Sequence, residues 1–182
     1  GTAGFIGSNV LDYFFNKYPD YRFLVLDALT YAGDIKNIPD EIQKSPRFEF
    51  WYGDIRNATL ADRLVKRSDT VIHLAAETHV TRSIYDNLRF FETDVLGTQI
   101  IANAVMQNKD TVERFIHIST SEVYGTAVAP LMDENHPLNP TSPYAAAKDG
   151  ADRVVYSYIV TYDIPAVSVR PGGLESRSTS TG

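Results

Sequence analysis

Gly1-Thr2-Ala3-Gly4-Phe5-Ile6-Gly7, with Phe23-Leu24-Val25-Leu26-Asp27 further along, is the stretch whose reading decides the fold. Glycines at 1, 4 and 7 permit a tight turn, let backbone amides approach a pyrophosphate and let the next helix pack closely, so that phosphates rest on a helix N-terminus. Residues 8–18 carry a helical apolar period, and 23–27 read as a short apolar strand ending in a carboxylate. Asp27 stands twenty residues beyond Gly7, where a dinucleotide fold places the acid that hydrogen-bonds the adenosine ribose. A carboxylate there repels a 2′-phosphate, so the pattern predicts NAD rather than NADP.

The rest of the chain repeats the alternation. Apolar strand-like runs at 47–52, 70–75, 114–119 and 164–170 are separated by helical stretches near 57–67, 84–108 and 143–162. Strands alternating with helices imply βαβ units, hence an α/β fold of Rossmann-like, doubly wound type: a parallel sheet with helices on both faces. Ligands bind at the carboxyl ends of such strands. The glycine loop, Asp27, Asp54, Ala75-Ala76-Glu77 and Ser119-Thr120-Ser121-Glu122 all fall at those ends. A dinucleotide fold also needs a buried parallel strand ahead of the glycine loop. The sequence begins on the first glycine, so that strand is expected to be missing. From Pro171 onward hydrophobic periodicity gives way to small polar residues. We therefore expect one truncated dinucleotide-binding domain over 1–171 and a polar tail over 172–182, resembling a linker or cloning scar.

The 182 residues include no cysteine, which excludes disulfides and cysteine-ligated metal centres and fits a reducing cytoplasm. Net charge is −6, with 23 acidic against 17 scattered basic residues, a balance that argues against nucleic acid as a partner. No apolar run approaches the ~20 residues that span a bilayer, so a soluble protein is expected. Histidines at 73, 79, 117 and 136 lack metal-ligand spacing and predict no metal. His73 and His117 read as satisfied sheet or loop residues, whereas His79 lies nearer the expected ligand. Phe90, Phe91 and the aromatics of 13–21 read as core or helix-packing residues.

Ser119, Tyr144 and Lys148 are the most informative residues of the chain. In Ser142-Pro143-Tyr144-Ala145-Ala146-Ala147-Lys148 the phenol and the amine are one helical turn apart and share a face. There an ammonium can favour phenolate and make the tyrosine a proton acceptor for an alcohol being oxidised. Thr141 or Ser142 can cap the helix, and Pro143 suits its first position.

These motifs, together with Leu26-Asp27-Ala28-Leu29-Thr30-Tyr31-Ala32-Gly33, Gly53-Asp54-Ile55-Arg56, His73-Leu74-Ala75-Ala76-Glu77-Thr78-His79-Val80 and Ile118-Ser119-Thr120-Ser121-Glu122-Val123-Tyr124-Gly125, resemble the extended short-chain dehydrogenase/reductase family. Within it the chain is most similar to the nucleotide-sugar 4,6-dehydratases of the dTDP-glucose type, over nearly its whole length. The resemblance implies NAD as cofactor, with Gly1, Gly4, Phe5, Ile6 and Gly7 at its pyrophosphate and Asp27 at its adenosine ribose. Asp54 and Ile55 would meet the adenine, Ala75 and Ala76 would lie near the nicotinamide, and Lys148 would bind the nicotinamide ribose beside Tyr144. It implies a nucleotide-sugar substrate oxidised at C4, with Tyr144 taking the hydroxyl proton, Thr120 bonding the same oxygen and Glu122 removing the C5 proton. It also implies a homodimer through a four-helix bundle in which Tyr156 and Tyr158 have structural roles, and a C-terminal substrate domain that this chain lacks.

Three departures qualify the match. Relatives carry Thr-Asp-Glu where this chain has Thr120-Ser121-Glu122. A serine is a poor proton donor for the departing C6 hydroxyl, and the same triplet resembles UDP-glucuronate decarboxylases and GDP-mannose 4,6-dehydratases. The latter favour NADP, which Asp27 opposes. Asp94 stands where relatives have asparagine, replacing an amide that donates with a carboxylate that only accepts. Gly172-Gly173 replaces a segment that meets the sugar. Dehydratase ranks first, followed by UDP-glucuronate decarboxylase and then 4-epimerase. A dinucleotide-binding domain without catalysis is the alternative of another class, and a partial chain unable to bind the dinucleotide is a third.

Overall fold

The computed structural model describes residues 1–128 and 132–172, so the expected tail lies, apart from Gly172, outside the described residues. Five strands are described: β1 (Phe23–Asp27), β2 (Phe48–Tyr52), β3 (Thr70–His73), β4 (Arg114–Ile118) and β5 (Ala166–Val169). All pair in parallel, as expected of strands joined through helices. They form two sheets, β1-β2 and β3-β4-β5.

The two sheets face one cavity of about 120 Å³, lined by Leu24 and Leu26 of β1, by β3 residues and by Gly1. No described strand lies between β1 and β3. Among the described residues the parallel strands thus form two sheets rather than the single continuous sheet of the doubly wound pattern.

Helix α1 (Phe5–Lys17) begins three residues earlier than its apolar period predicts, because Gly4 is its extended N-cap. Short α2 (Asp40–Gln43) has no sequence period to announce it, yet its Ile42 is fully buried with Leu11, Val25 and Ile38 in a small core against β1. Helix α3 (Ala58–Val65) is capped by the Asn57 side chain, which accepts from Leu60 N–H. The single helix expected over 84–108 is broken into α4 (Val80–Tyr85), α5 (Asn87–Phe90), a π-helical turn (Phe91–Leu96) and α6 (Gly97–Gln107). Asp86 leaves helical geometry at φ −136°, and the wide π turn coincides with the buried carboxyl of Asp94. Helix α7 (Pro143–Tyr162) follows the sequence reading: Ser142 accepts from Ala145 N–H, and left-handed Asp163 ends it.

Helices α3, α6 and α7 pack with β4 around the larger core, which includes Ala61, Val65, Ile101, Val105, Phe115 and Val155. Phe90 is buried, whereas Phe91, Tyr13 and Tyr21 are exposed and lie outside the core; Tyr13 sits edge-on to Phe14 and Tyr21 stacks on Tyr18.

Candidate active site

The glycine loop is held by backbone contact. A Cβ on Gly1 would come within 2.6 Å of Leu74 and Ala75, and one on Gly7 would meet the Gly1 carbonyl and the Thr2 backbone. Only glycine lets this turn close against the loop after β3 while α1 starts immediately. No side chain caps α1 and no acid lies in its first turn, so its N-terminal amides present positive partial charge where Phe5 and Ile6 are exposed. That suits a pyrophosphate.

Asp27 ends β1. Its Oδ2 accepts from Ala3 N–H at 2.8 Å and lies 3.1 Å from the Gly1 ammonium, while Oδ1 accepts from Leu29 N–H at 2.8 Å. Burial opposes ionisation, but the ammonium and the two backbone donors outweigh it and hold the carboxyl below its ordinary value. A carboxylate oxygen accepts more than one bond, so Oδ1, beside Gly33, keeps capacity for a ribose hydroxyl. These residues fit an NAD adenosine half.

Asp54 is engaged by Arg56, whose guanidinium lies 2.8 Å away and also reaches Glu92 at 2.9 Å. The Ile55 side chain belongs to the core and rests on Gly97. Ala75 packs on that core, and Ala76 follows it in the loop after β3. The 29–33 segment meets the 77–82 segment directly: Tyr31 donates to the Thr78 carbonyl at 3.1 Å, and Arg82 covers its ring at 3.7 Å. His79 caps α4 at φ 80°, in the region that strains a side-chain-bearing residue.

Beyond β4 the chain enters the turn Ser121–Tyr124, in which Thr120 Oγ1 accepts from Glu122 N–H. Pairing with the β5 side continues through it, Ser119 N–H to Val169 and Ser121 N–H to Pro171. Tyr144 opens α7, edge-on to Phe90, with a Thr120 hydroxyl contact. Lys148 is buried and donates to the Ile118 carbonyl at 2.7 Å. Thr120, Tyr144 and Lys148 are thereby brought to the end of β4, with exposed Glu122 close enough to act on Tyr144.

The electrostatics correct one expectation. Tyr144 is not depressed: burial raises it above an ordinary phenol, Thr120 opposes this, and the charges of Asp94 and Glu122 add to it. Burial likewise lowers Lys148, against Asp94 and Asp152, and its ammonium is committed to a carbonyl.

Ser119 is buried and donates to Asp152 Oδ2 at 3.1 Å, a supporting place rather than a reacting one. Arg170 donates to the same oxygen at 2.7 Å and to Tyr124 at 3.0 Å, so the network ties β5, α7 and the 121–124 turn together. Sequence reading missed this network, although Asp152 one turn beyond Lys148 was a visible signal. His73 faces Thr98 at 3.0 Å as expected, but neither ring nitrogen of fully buried His117 has a partner among the described residues, so that histidine is not satisfied. His136 accepts from Val128 N–H at 3.1 Å and lies edge-on to Tyr124. Tyr158 is bonded by Gln99 at 2.9 Å, while Tyr156 is exposed.

A family model described as GDP-mannose 4,6 dehydratase matches residues 1–180. A dTDP-glucose 4,6-dehydratase of Streptomyces antibioticus is 41% identical over 169 residues, which cover 90% of this chain and 49% of that protein. The crystal structure of DesIV, a dTDP-glucose 4,6-dehydratase from Streptomyces venezuelae with NAD and TYD bound, superposes with TM-score 0.86 at 42% identity, covering 93% of this chain and 53% of that one. UDP-glucose 4-epimerase of Thermotoga maritima superposes with TM-score 0.81 at 26% identity, covering 93% of this chain and 53% of that one. The chain spans between about a quarter and a half of the length of the curated relatives it matches, 26% of one trifunctional Arabidopsis thaliana protein and 49% of the Streptomyces antibioticus enzyme. Fold, motif order and these likenesses agree: the chain belongs to the GDP-mannose 4,6 dehydratase family of nucleotide-sugar dehydratases and epimerases.

Proposed function

We propose that the intact protein is an NAD-dependent nucleotide-sugar 4,6-dehydratase of the dTDP-glucose type, to which residues 1–171 contribute the cofactor-binding domain. The observation that carries this reading is that buried Lys148, bonded to the Ile118 carbonyl at the end of β4, brings Tyr144, one turn before it on α7, to the Thr120–Glu122 turn, at the same strand ends that present the glycine loop and Asp27. Gly1, Gly4, Phe5, Ile6 and Gly7 hold the pyrophosphate, Asp27 the adenosine ribose, and Asp54 and Ile55 the adenine. Ala75 and Ala76 lie beside the nicotinamide, whose ribose Lys148 holds. Bound NAD⁺ supplies a hydride acceptor for the sugar's C4 and a hydride donor for its C6.

Tyr144 Oη, as phenolate, takes the C4 hydroxyl proton while Thr120 fixes that oxygen; because burial raises this phenol, the Lys148 ammonium and the positive charge of bound NAD⁺ must favour the phenolate for the transfer to occur. The C4 ketone acidifies C5, whose proton the Glu122 carboxylate removes while the C6 hydroxyl departs as water, protonated through a water relay; hydride to C6 and a proton returned to C5 from Glu122 complete the reaction. Exposure suits Glu122 to that encounter, and Ser121 leaves the departing hydroxyl without a carboxylic acid beside it. For this reason a UDP-glucuronate decarboxylase is the second reading. Carbon dioxide leaves without a proton, so no acid is needed at C6.

Exposed Tyr156 and Val160 on α7, with Phe91 and Leu96 of the π turn, suit a two-fold helical interface between copies. No described helix is long and apolar enough to cross a membrane. The absence of cysteine supports placement in the cytoplasm.

The experiment is incubation of the intact protein with NAD⁺ and, separately, dTDP-glucose, UDP-glucuronate and UDP-N-acetylglucosamine. A 4-keto-6-deoxy product from dTDP-glucose is expected. Carbon dioxide from UDP-glucuronate alone would select the second reading, and cofactor binding without any sugar-dependent turnover would leave a binding domain.

A further inference from the structure

Asp94 is 1% exposed within the π turn Phe91–Leu96. Its Oδ1 accepts from Glu77 N–H at 2.7 Å, and its Oδ2 has no hydrogen-bond partner among the described residues. A buried carboxylate oxygen left in this way is costly, whereas a neutral acid is much less so. The groups facing it come from three sides. Helix α7 brings Lys148, whose ammonium reaches Ile118, and Tyr144. The loop after β3 brings Glu77, which lies 3.7 Å from Arg89 of α5. Helix α6 has no titratable residue.

We propose that Asp94 is a positioning residue for the Tyr144–Lys148 pair, acting through the charge of its buried carboxyl and not by contact: ionised, it offsets the Lys148 ammonium and opposes a phenolate at Tyr144, and protonated, it does neither. The inference rests on the reading of Tyr144 as proton acceptor, but its electrostatic content does not. Burial pushes the carboxyl up to about 7, with Lys148 and the Glu77 amide pulling it down and the Glu77 charge adding to the rise. As pH climbs through neutrality the carboxyl gains charge, and ionising Tyr144 becomes harder. An asparagine in its place keeps the acceptor for Glu77 N–H and cannot titrate.

The test is a carbon-13 NMR titration of the aspartate carboxyl and tyrosine phenol carbons in the intact protein, with Tyr144 assigned from Tyr144→Phe. One aspartate should titrate near neutral pH and vanish in Asp94→Asn. Its midpoint should move to lower pH in Glu77→Gln, which tests the same field without touching the carboxyl. The Tyr144 midpoint should be lower in Asp94→Asn than in the wild type. An aspartate set that titrates wholly in the ordinary carboxylate range, or a Tyr144 midpoint unmoved by Asp94→Asn, overturns the proposal. If Tyr144→Phe retains sugar turnover, the catalytic reading fails while the NMR coupling stands. If it abolishes turnover and the coupling is absent, only the role of Asp94 is lost.

Discussion

In the proposed reading, the part of the molecule built on β1 and β2 would meet ligand with backbone, and the part built on β3, β4 and β5 with buried side chains. In the first, Gly1 and Gly7 owe their role to the absence of a Cβ, α1 to its uncapped amides, and Asp27 to two backbone donors that fix it. Its core is small: Leu11, Val25, Ile38 and Ile42. In the second, Lys148, Asp94, Asp152, His73 and His117 are all buried beside the larger core, and burial shifts the protonation of Lys148, Asp94 and both histidines. Backbone recognition needs little core, because its donors are fixed by local geometry. Acid-base chemistry needs the dry, well-packed side, where a charge is felt strongly.

The sharpest break in that contrast is Tyr144→Phe in the intact protein. It removes one hydroxyl and little packing, so sugar oxidation should fall by about 10²- to 10⁴-fold, the usual cost of losing a positioned acid-base group. NAD⁺ affinity, which belongs to the backbone side, should hardly change. Turnover within a few-fold of wild type would remove Tyr144 from the chemistry.

The same contrast explains what could be read from residues in a row. The glycine loop, Asp27 at its spacing and the Ser142-capped α7 carrying Tyr144 and Lys148 are local patterns, and each is found where its pattern places it. The environment of Lys148 was not legible. Its hydrogen-bond partner, the Ile118 carbonyl, comes from β4, and the charges that act on it at longer range, Asp94 and Asp152, come from the π turn and from one turn further along α7. The phenol's rise above its ordinary value depends on Asp94 and Glu122, tens of residues away in sequence, and on burial that no spacing reveals. The π turn itself was hidden because residues 84–108 keep a helical apolar period across a break in the hydrogen-bond pattern.

The divided sheet offers the next test. Buried backbone donors and acceptors without partners cost ~1–3 kcal/mol each, and the inner edges of β1 and β3 share one cavity with no described strand between them. An apolar five-residue extension ahead of Gly1, rich in valine and isoleucine, should raise the urea midpoint and slow amide exchange in both β1 and β3. Protection gained in only one of the two strands would mean that the sheets are not waiting on a common partner.

A smaller effect is expected in the pH dependence of stability. Burial, reinforced by Lys148, holds His117 down at about 3, and His73 is held well below its ordinary value, so the folded state binds fewer histidine protons than the unfolded chain. That contribution is present above the ordinary histidine value of ~6.5 and is lost as pH falls. Asp94, at about 7, has the opposite sign: its contribution is present at low pH and lost as pH rises toward neutrality. Between ~4 and ~6.5 two histidine protons oppose one carboxyl proton, and each uncompensated proton is worth about 1.4 kcal/mol per pH unit. Asp94→Asn should therefore lose stability on acidification more steeply than wild type by that amount. Parallel slopes in urea unfolding series would mean that Asp94 is ionised throughout.

The smallest effect belongs to the backbone side. Asp27 accepts from the Ala3 and Leu29 amides, which offset its burial and favour the charged carboxylate, and Oδ1 retains an acceptor site beside Gly33. A ribose hydroxyl can donate to that oxygen, whereas a 2′-phosphate can only repel it, by about 1 kcal/mol or more even at an effective dielectric near 20. Calorimetry on the intact protein should find NAD⁺ bound several-fold more tightly than NADP⁺, with the gap narrowing in Asp27→Asn, whose amide can donate to a phosphate. Because the amide also keeps an acceptor for Ala3 or Leu29, the loop should survive the change. Equal affinities in the wild type would show that the carboxylate is consumed by its own backbone contacts, and that this side of the molecule recognises the pyrophosphate without discriminating the ribose.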